Sequence, residues 1–230
     1  MQALAGITSL LEPLDYVAVA LLLGMALAMR LMVEHCPDTR PSTSRLMANY
    51  RREWMRVAAS RSARIIDSQL LISLRAGAAF FASGTILAIG GLVALLGQAE
   101  QMLGVVQDLV TDLTATRRLW ELKLLFVLCL TVDSFLKFVW AHRIFGYCAV
   151  LLGAIPERDS GEDQSAAISR AGELQVNAAR SYNRGLRGIY FALASMAWFL
   201  GPIGLIIAAL VTAGVIFRRE FLSETRRMLL

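Results

Sequence analysis

The residues that could do chemistry in this sequence are a few ionisable side chains inside long apolar runs. Asp133 and Lys137 are four residues apart, so they share one helical face in the favourable order of acid before base. Charged groups at membrane depth are costly and often mark ion, proton or solute pathways. Together with Arg75 and Arg143 near the ends of apolar runs, the pair predicts a polar pathway in the interior of a helical bundle or of an oligomer. The alternative is a structural ion pair, or charges that extend to water.

A second candidate is the segment NRGLRG at 183–188, which could bind lipid headgroups or phosphate through Arg184 and Arg187. It lacks the full pattern of a phosphate-binding loop. The alternative is a flexible hinge whose arginines anchor the chain at the cytoplasmic side of a membrane.

Small residues recur along one face of the most apolar run, Leu74 to Gly97. They are Gly77, Gly84, Ala88 and Gly91. Small residues at such spacing let another helix approach closely. This glycine stripe predicts a packing face that holds the bundle or an oligomer together, with the third apolar run as its partner.

Other chemistry finds no support in the sequence. The cysteines, Cys36, Cys129 and Cys148, form no metal-binding or redox motif, and His35 and His142 are far apart. No serine or threonine has a histidine or acid at a recognisable catalytic spacing. We therefore expect no metal, no cofactor and no enzyme. The net charge of +5 fits arginine-rich loops beside a membrane better than nucleic-acid binding.

The elements that must position these residues are transmembrane helices. The chain is 57% hydrophobic and only 18% charged, whereas soluble domains are about 45–50% apolar and about 25% charged. We predict an all-α integral membrane bundle, one domain over 1–230, with about four spans. The spans lie near 16–32, 74–97, 120–140 and 189–217, and cytosolic helical extensions lie near 44–70 and 162–182.

Two points of this architecture stay open at the level of sequence. The basic amphipathic stretch within 44–70 can lie in the membrane interface or run straight into the second span, because no glycine or proline separates Arg64 from Leu74. The last apolar run is interrupted by Gly201, Pro202 and Gly204. It is either one kinked span or a short re-entrant pair.

Lysine and arginine gather on the cytoplasmic side of membrane proteins. This rule places the arginine-rich first loop inside, and four spans then place both termini outside. The C-terminal tail, which carries Arg218, Arg219, Arg226 and Arg227, would violate the rule. A re-entrant last segment would return the tail to the inside. We favour four spans because the arginines of the first loop outweigh those of the tail.

Several stretches resemble the domain of unknown function family 599, a family of integral membrane proteins. They are FFASGTILAIGGLVALLG at 80–97, WELKLLFVLCLTVDSFLKFVWAHRIFGYCAVLLGAIP at 120–156, NRGLRGIYFALASMAWFLGP at 183–202 and RREFLSETRRML at 218–229. The resemblance covers most of the chain after about Tyr50. It implies a multi-span bacterial membrane protein and no particular activity.

These observations lead to two functional hypotheses. The first is an oligomeric channel or transporter for ions or small polar solutes in the bacterial inner membrane, motivated by Asp133, Lys137 and the glycine stripe. The second is a non-catalytic scaffold or accessory subunit that recruits a protein partner through its cytosolic helices. In both, the lipid bilayer and further copies of the chain are the expected partners, and nucleic acid is not.

Overall fold

The computed structural model describes residues 11–61, 63–98, 117–156 and 163–230, and within these ranges the chain is helical with no strand. The all-α prediction is confirmed. A 3-10 segment, Met196–Leu200, joins the fifth helix to the sixth. The helices are α1 (Pro13–Glu34), α2 (Thr43–Ser60), α3 (Ile65–Gly97), α4 (Arg117–Ala154), α5 (Ser165–Ser195), α6 (Pro202–Phe221) and α7 (Glu224–Met228).

Three of the described helices, α1, α3 and α4, are long and apolar enough to cross a membrane. Large apolar side chains cover their outward faces, as expected for a membrane protein; examples are Val17, Phe80, Leu87 and Leu136. Helices α3 and α4 have 33 and 38 residues. At about 1.5 Å per residue both are longer than the roughly 30 Å of a bilayer core.

The bundle is organised around α4, which packs against α3 on one side and α5 on the other, while α1 packs mainly on α6. Helices α1 and α6 run in the same direction. Trp198, just before α6, bonds Asp15 near the start of α1. We call this the tryptophan end. At the opposite arginine end, Glu34 of α1 contacts Arg187, which also faces Glu220 of α6.

Beyond the arginine end, α2 packs with parts of α3, α4 and α5 in what we call the extension layer. Its core is apolar and includes Met55, Leu71, Ile144, Phe145 and Ala171. Sequence reasoning left open whether α2 continues into α3, and the structure shows that it does not. The chain is extended at Arg61, the C-cap of α2.

The break between α2 and α3 occurs without glycine or proline and is fixed by side chains. Asp67, fully buried in the first turn of α3, accepts hydrogen bonds from the Trp54 indole at 2.7 Å and from Arg61. A buried carboxylate needs such partners. The corner therefore forms where the indole and the guanidinium meet the same acid.

The last apolar run forms a helical hairpin and not one span. Gly201 has a φ of 106°, a backbone conformation that residues other than glycine rarely adopt. Pro202 then starts α6. Arg219 of α6 donates to the Tyr190 hydroxyl of α5 at 2.7 Å, so the chain has turned back. The tail reaches the first loop, where Arg226 donates to the Pro41 carbonyl at 2.8 Å. The tail and the first loop thus meet at the arginine end, so the arginines of both lie at the same end of the bundle.

Candidate functional site

The predicted polar pathway does not form inside the chain. Asp133 and Lys137 do make the expected ion pair on α4, but the Asp133 side chain is 57% exposed and the pair lies on the outer surface. We expected this face in the interior. Instead Ser134 and Phe138, each one residue further along, are the buried side chains of this stretch. Small and apolar side chains allow the close approach of α5, and a charged pair would not.

Arg75 and Arg143 are also separate from the Asp133–Lys137 pair. Arg75 lies between α3 and α4, where its Nε donates to His142 Nε2 at 3.2 Å and its carbonyl lies 3.2 Å from His142 Nδ1. A neutral imidazole with its proton on Nδ1 satisfies both contacts. Arg143 instead lies over the ring of Tyr147, one turn along α4. The structure thus divides the four predicted pathway residues among three places.

The glycine stripe of α3 is not the surface that packs on α4. A Cβ built at Gly77, Gly84 or Gly91 would meet no atom within 4 Å. Helix α3 does pack on α4, the expected partner, but its buried side chains are the neighbours Ala78, Thr85 and Leu92. The stripe lies to one side of them and lines an apolar groove of about 510 Å³ between α3, α4 and α5. Its lining includes Gly84, Ala88 and Gly91.

The segment NRGLRG is neither a turn nor a hinge, because α5 runs through it without a break. Its glycines allow close contact with α4. A Cβ at Gly188 would lie 2.3 Å from the Ser134 hydroxyl oxygen, and one at Gly185 would lie 2.8 Å from the Phe138 ring. Glycine is required at these positions for space, not for backbone freedom.

The two arginines of this segment are bound within the chain. Arg184 donates to Glu34 at 2.7 Å through its Nε, and Arg187 contacts the same carboxylate at 3.2 Å. Arg187 also lies 3.8 Å from Glu220. Since both charges already face carboxylates, these arginines are poorer candidates for headgroup binding than their sequence suggested.

A polar cavity of about 810 Å³ opens at the arginine end, and this is the candidate functional site. Its walls are the end of α1, the first half of α2, the middle of α5 and the side chain of Glu220. The lining contains five arginines but three carboxylates. The arginines are Arg45, Arg51, Arg52, Arg180 and Arg187, and the carboxylates are Glu34, Asp38 and Glu220. Sequence reasoning did not find the cavity, because its lining comes from four helices.

Three of the lining arginines are paired: Arg45 with Asp38, Arg52 with Glu173, and Arg187 as described above. Arg51 and Arg180 have no carboxylate within 4 Å in the described part of the chain. Burial lowers the pKa of the Arg51 guanidinium, but arginine still keeps its charge. The cavity lining therefore carries more positive than negative charge. Of the two arginines without an ion pair, Arg180 still acts through space on the Glu173 carboxyl and helps to lower its pKa.

Glu220 occupies the other part of this cavity. Its carboxylate accepts from the Ser44 backbone N–H at 3.0 Å and from the Ser44 hydroxyl at 2.8 Å, and it faces Arg187. The Thr43 hydroxyl donates to the Glu220 carbonyl at 3.1 Å. Because backbone N–H groups and the positive end of the dipole point outward there, the first turn of a helix is a favourable place for an anion. Here the anion is a side chain of the protein itself.

The tryptophan end contains a second buried polar network that sequence reasoning missed. Asp15 accepts from the Trp198 indole at 2.7 Å, and the Lys123 ammonium donates to the Trp198 carbonyl at 2.9 Å. Both ionisable side chains are buried. Lys123 does not extend toward water but binds a carbonyl of the 3-10 segment. This network therefore holds the hairpin in place, and its three residues line neither the polar cavity nor the apolar groove.

Within the described ranges, no group of three or more histidine, cysteine, aspartate or glutamate residues could hold a metal ion. No curated protein and no solved structure matches the chain. A family model described as "Protein of unknown function, DUF599" matches residues 17–225, in agreement with the resemblance found in the sequence. The match extends from within α1 to the start of α7, and the chain belongs to the DUF599 family.

Proposed function

We propose that this chain binds a small anionic solute in the cavity at its arginine end, as the cytoplasmic site of an oligomeric transporter. The observation that carries the proposal is that Arg51 and Arg180 line the cavity and that neither has a carboxylate within 4 Å among the described residues. Asn49, Asn183 and the hydroxyl of Thr43 add polar groups to the same walls. Neutral donors beside an uncompensated guanidinium suit a carboxylate or phosphate group.

The proposal includes a membrane arrangement of the bacterial inner-membrane type. In it α1, α3 and α4 cross the bilayer, and α5 with α6 forms a hairpin that enters from the arginine end and returns to it. The first-loop arginines and the tail arginines are then on one side, which the positive-inside rule makes the cytoplasm. A reporter that works only in the cytoplasm should be active when fused after Leu230. Activity of a periplasmic reporter at that position would contradict the arrangement.

Binding can be tested with purified protein and three probes: inorganic phosphate, sulfate and succinate. We expect at least one to bind saturably, and R51Q and R180Q each to weaken that binding about tenfold or more, as for loss of a charge-assisted hydrogen bond. R56Q is the matched control, since Arg56 lies on α2, is exposed and pairs with Glu53. Equal binding by all four proteins would contradict the site.

Transport is tested by reconstitution into liposomes. A probe that binds should be taken up saturably by the wild type, and R51Q should lose uptake while R143Q keeps it. Arg143 is an arginine of α4 that lies outside the cavity lining. Saturable binding without flux would show that the protein binds the anion but does not transport it, and the transporter proposal would be rejected.

The scaffold is the second candidate, and one observation favours it. Ile65, Ile66 and Val150 are 70%, 67% and 71% exposed, and they lie toward the extension-layer ends of α3 and α4. In this proposal a cytosolic partner covers them. A stoichiometric partner that co-purifies with the wild type and is lost in I66S would support the scaffold. Purification without a partner, together with Arg51-dependent flux, would reject it.

A further inference from the structure

The cavity at the arginine end contains two places suited to an anion, and only one of them is open. The first is near Arg51, which has no carboxylate partner in the part of the chain described. The second is the first turn of α2 beside Arg187, where Glu220 is bound. Ser44 and Arg51 are seven residues apart on α2, so the two places lie about 10 Å apart along the helix axis.

We propose that Glu220 is a tethered competitor of the ligand, and that the full ligand is an elongated dianion. One anionic group of the ligand binds near Arg51, and the other displaces the Glu220 carboxylate from Ser44 and Arg187. This inference rests on the proposed function, since it names the ligand class and the regulation of the same cavity. It does not follow from anion binding alone, because a monoanion would occupy only the open place.

The contacts of Glu220 also give the displacement a structural consequence. Glu220 is next to the end of α6, and its side chain and carbonyl both bind the first turn of α2. The Arg226 bond to Pro41 is the next contact of the tail with the first loop. A ligand that replaces Glu220 therefore loosens the end of α6 and the tail from α2. Arg187 keeps its contact with Glu34 when Glu220 leaves, so the rest of the arginine end stays closed.

The test compares suberate, a dianion with terminal carboxylates, with its monomethyl ester, which has one. Removal of the competitor in E220A should raise suberate affinity by about tenfold or more, within the usual range of coupling between sites. The affinity for the monomethyl ester should stay unchanged. E220Q keeps the size of the side chain and loses its charge, so it should also raise the affinity for suberate, but by less than E220A. E224A, a nearby exposed acid, is the control and should bind like the wild type.

Each outcome of this comparison decides the proposal. Suberate binding that appears only in E220A, or rises there, supports it. Equal suberate affinity in wild type, E220A and E220Q, with binding still dependent on Arg51, overturns it and leaves the proposed function standing. No binding of suberate or its ester to any of these proteins overturns the inference, and it overturns the proposed function too if phosphate, sulfate and succinate also fail to bind. A spin-label distance between residues 47 and 225 that suberate leaves unchanged in the wild type overturns the release of the tail.

Discussion

The ion pair between Arg52 and Glu173 joins α2 to α5 at the edge of the cavity. The hydrogen bond from Arg52 lowers the pKa of the Glu173 carboxyl. Because the pKa is lowered in the folded state, the ion pair stabilises the fold fully at pH values above the unfolded pKa of glutamate, which is about 4.3. This stabilisation is lost as the pH falls through the pKa of the folded state. Because the pair is exposed to solvent, its contribution is small.

We therefore expect the stability of E173Q to fall less on acidification than that of the wild type. At pH 7 the variant should be slightly less stable, since it lacks the ion pair. Between pH 5 and pH 3 the difference should shrink, because the wild type loses the same contact by protonation. Thermal unfolding in mild detergent over this range measures the effect. A constant difference at every pH would show that Glu173 does not titrate with the fold.

Lys123 is the residue whose removal should most affect the tryptophan end. In K123M the Trp198 carbonyl loses a buried charge-assisted donor, and Asp15 loses the nearby positive charge. The expected cost is about 1–3 kcal/mol, the usual penalty for unpairing a buried polar group. R118M is the control on the same helix, since Arg118 is exposed. A melting temperature that drops equally in both variants would contradict the role given to Lys123.

At the scale of the elements, the contact between α4 and α5 depends on the glycines of NRGLRG. G188A should destabilise the bundle, because its methyl group would clash with the Ser134 hydroxyl. S134A removes the clashing oxygen, and the remaining neighbour, the Ser134 Cβ, would be at 3.4 Å. The double variant should therefore be more stable than G188A alone, which is a coupling between neighbours. Additive losses in thermal unfolding would show that the close approach is not the cause.

The hairpin gives a second prediction at this scale. G201A forces a side chain into a backbone conformation with positive φ, at a cost of about 1–2 kcal/mol. G214A is the matched change on α6, where a Cβ would meet nothing within 4 Å and where alanine is the better helix former. We expect G201A to lower the melting temperature and G214A to keep or raise it. If instead G214A lowered the melting temperature and G201A did not, the turn between α5 and α6 would not depend on Gly201.

The sequence was sufficient to predict that the chain is helical, but it did not predict which face of each helix is buried. Apolar runs and the order of the family-like stretches predicted an all-α chain, and the Asp133–Lys137 spacing predicted a real ion pair. The direction in which that pair points depends on which neighbours α4 meets. This is set by the contact of Ser134, the residue after Asp133, with Gly188 far along the chain. The break after Ser60 was equally out of reach, because it depends on Trp54 and Arg61 meeting Asp67.

For the whole molecule, the open face of α3 suggests self-association. Phe80 and Leu87 are 73% and 76% exposed, and each lies three residues after a glycine of the stripe, Gly77 or Gly84. Phe80 and Leu87 are seven residues apart, as are the glycines beside them, which is the spacing at which knobs on one helix can fill holes on another. A second copy of α3 is therefore the occupant that we propose for the groove.

G84L fills one of these holes and should reduce the mass of the particle in detergent or nanodiscs. G24L is the control, because Gly24 is an equally open glycine on α1. Light scattering and cysteine cross-linking on the stripe face measure the change. A wild-type protein that is monomeric at all concentrations, or a mass that G24L reduces as much as G84L, would contradict the proposal.

The pairing of α1 with α6 has a consequence for the synthesis of the protein. Helix α1 has α6 as its main neighbour, and Trp198, the partner of Asp15, is made about 180 residues after it. Until then Asp15 must remain hydrated or rely on a helper of the insertion machinery, because a lone carboxylate is costly in an apolar surrounding. The side of the bundle at α1 is thus closed only when α6 is made, and chains that stop before α6 should be recognised as incomplete and degraded.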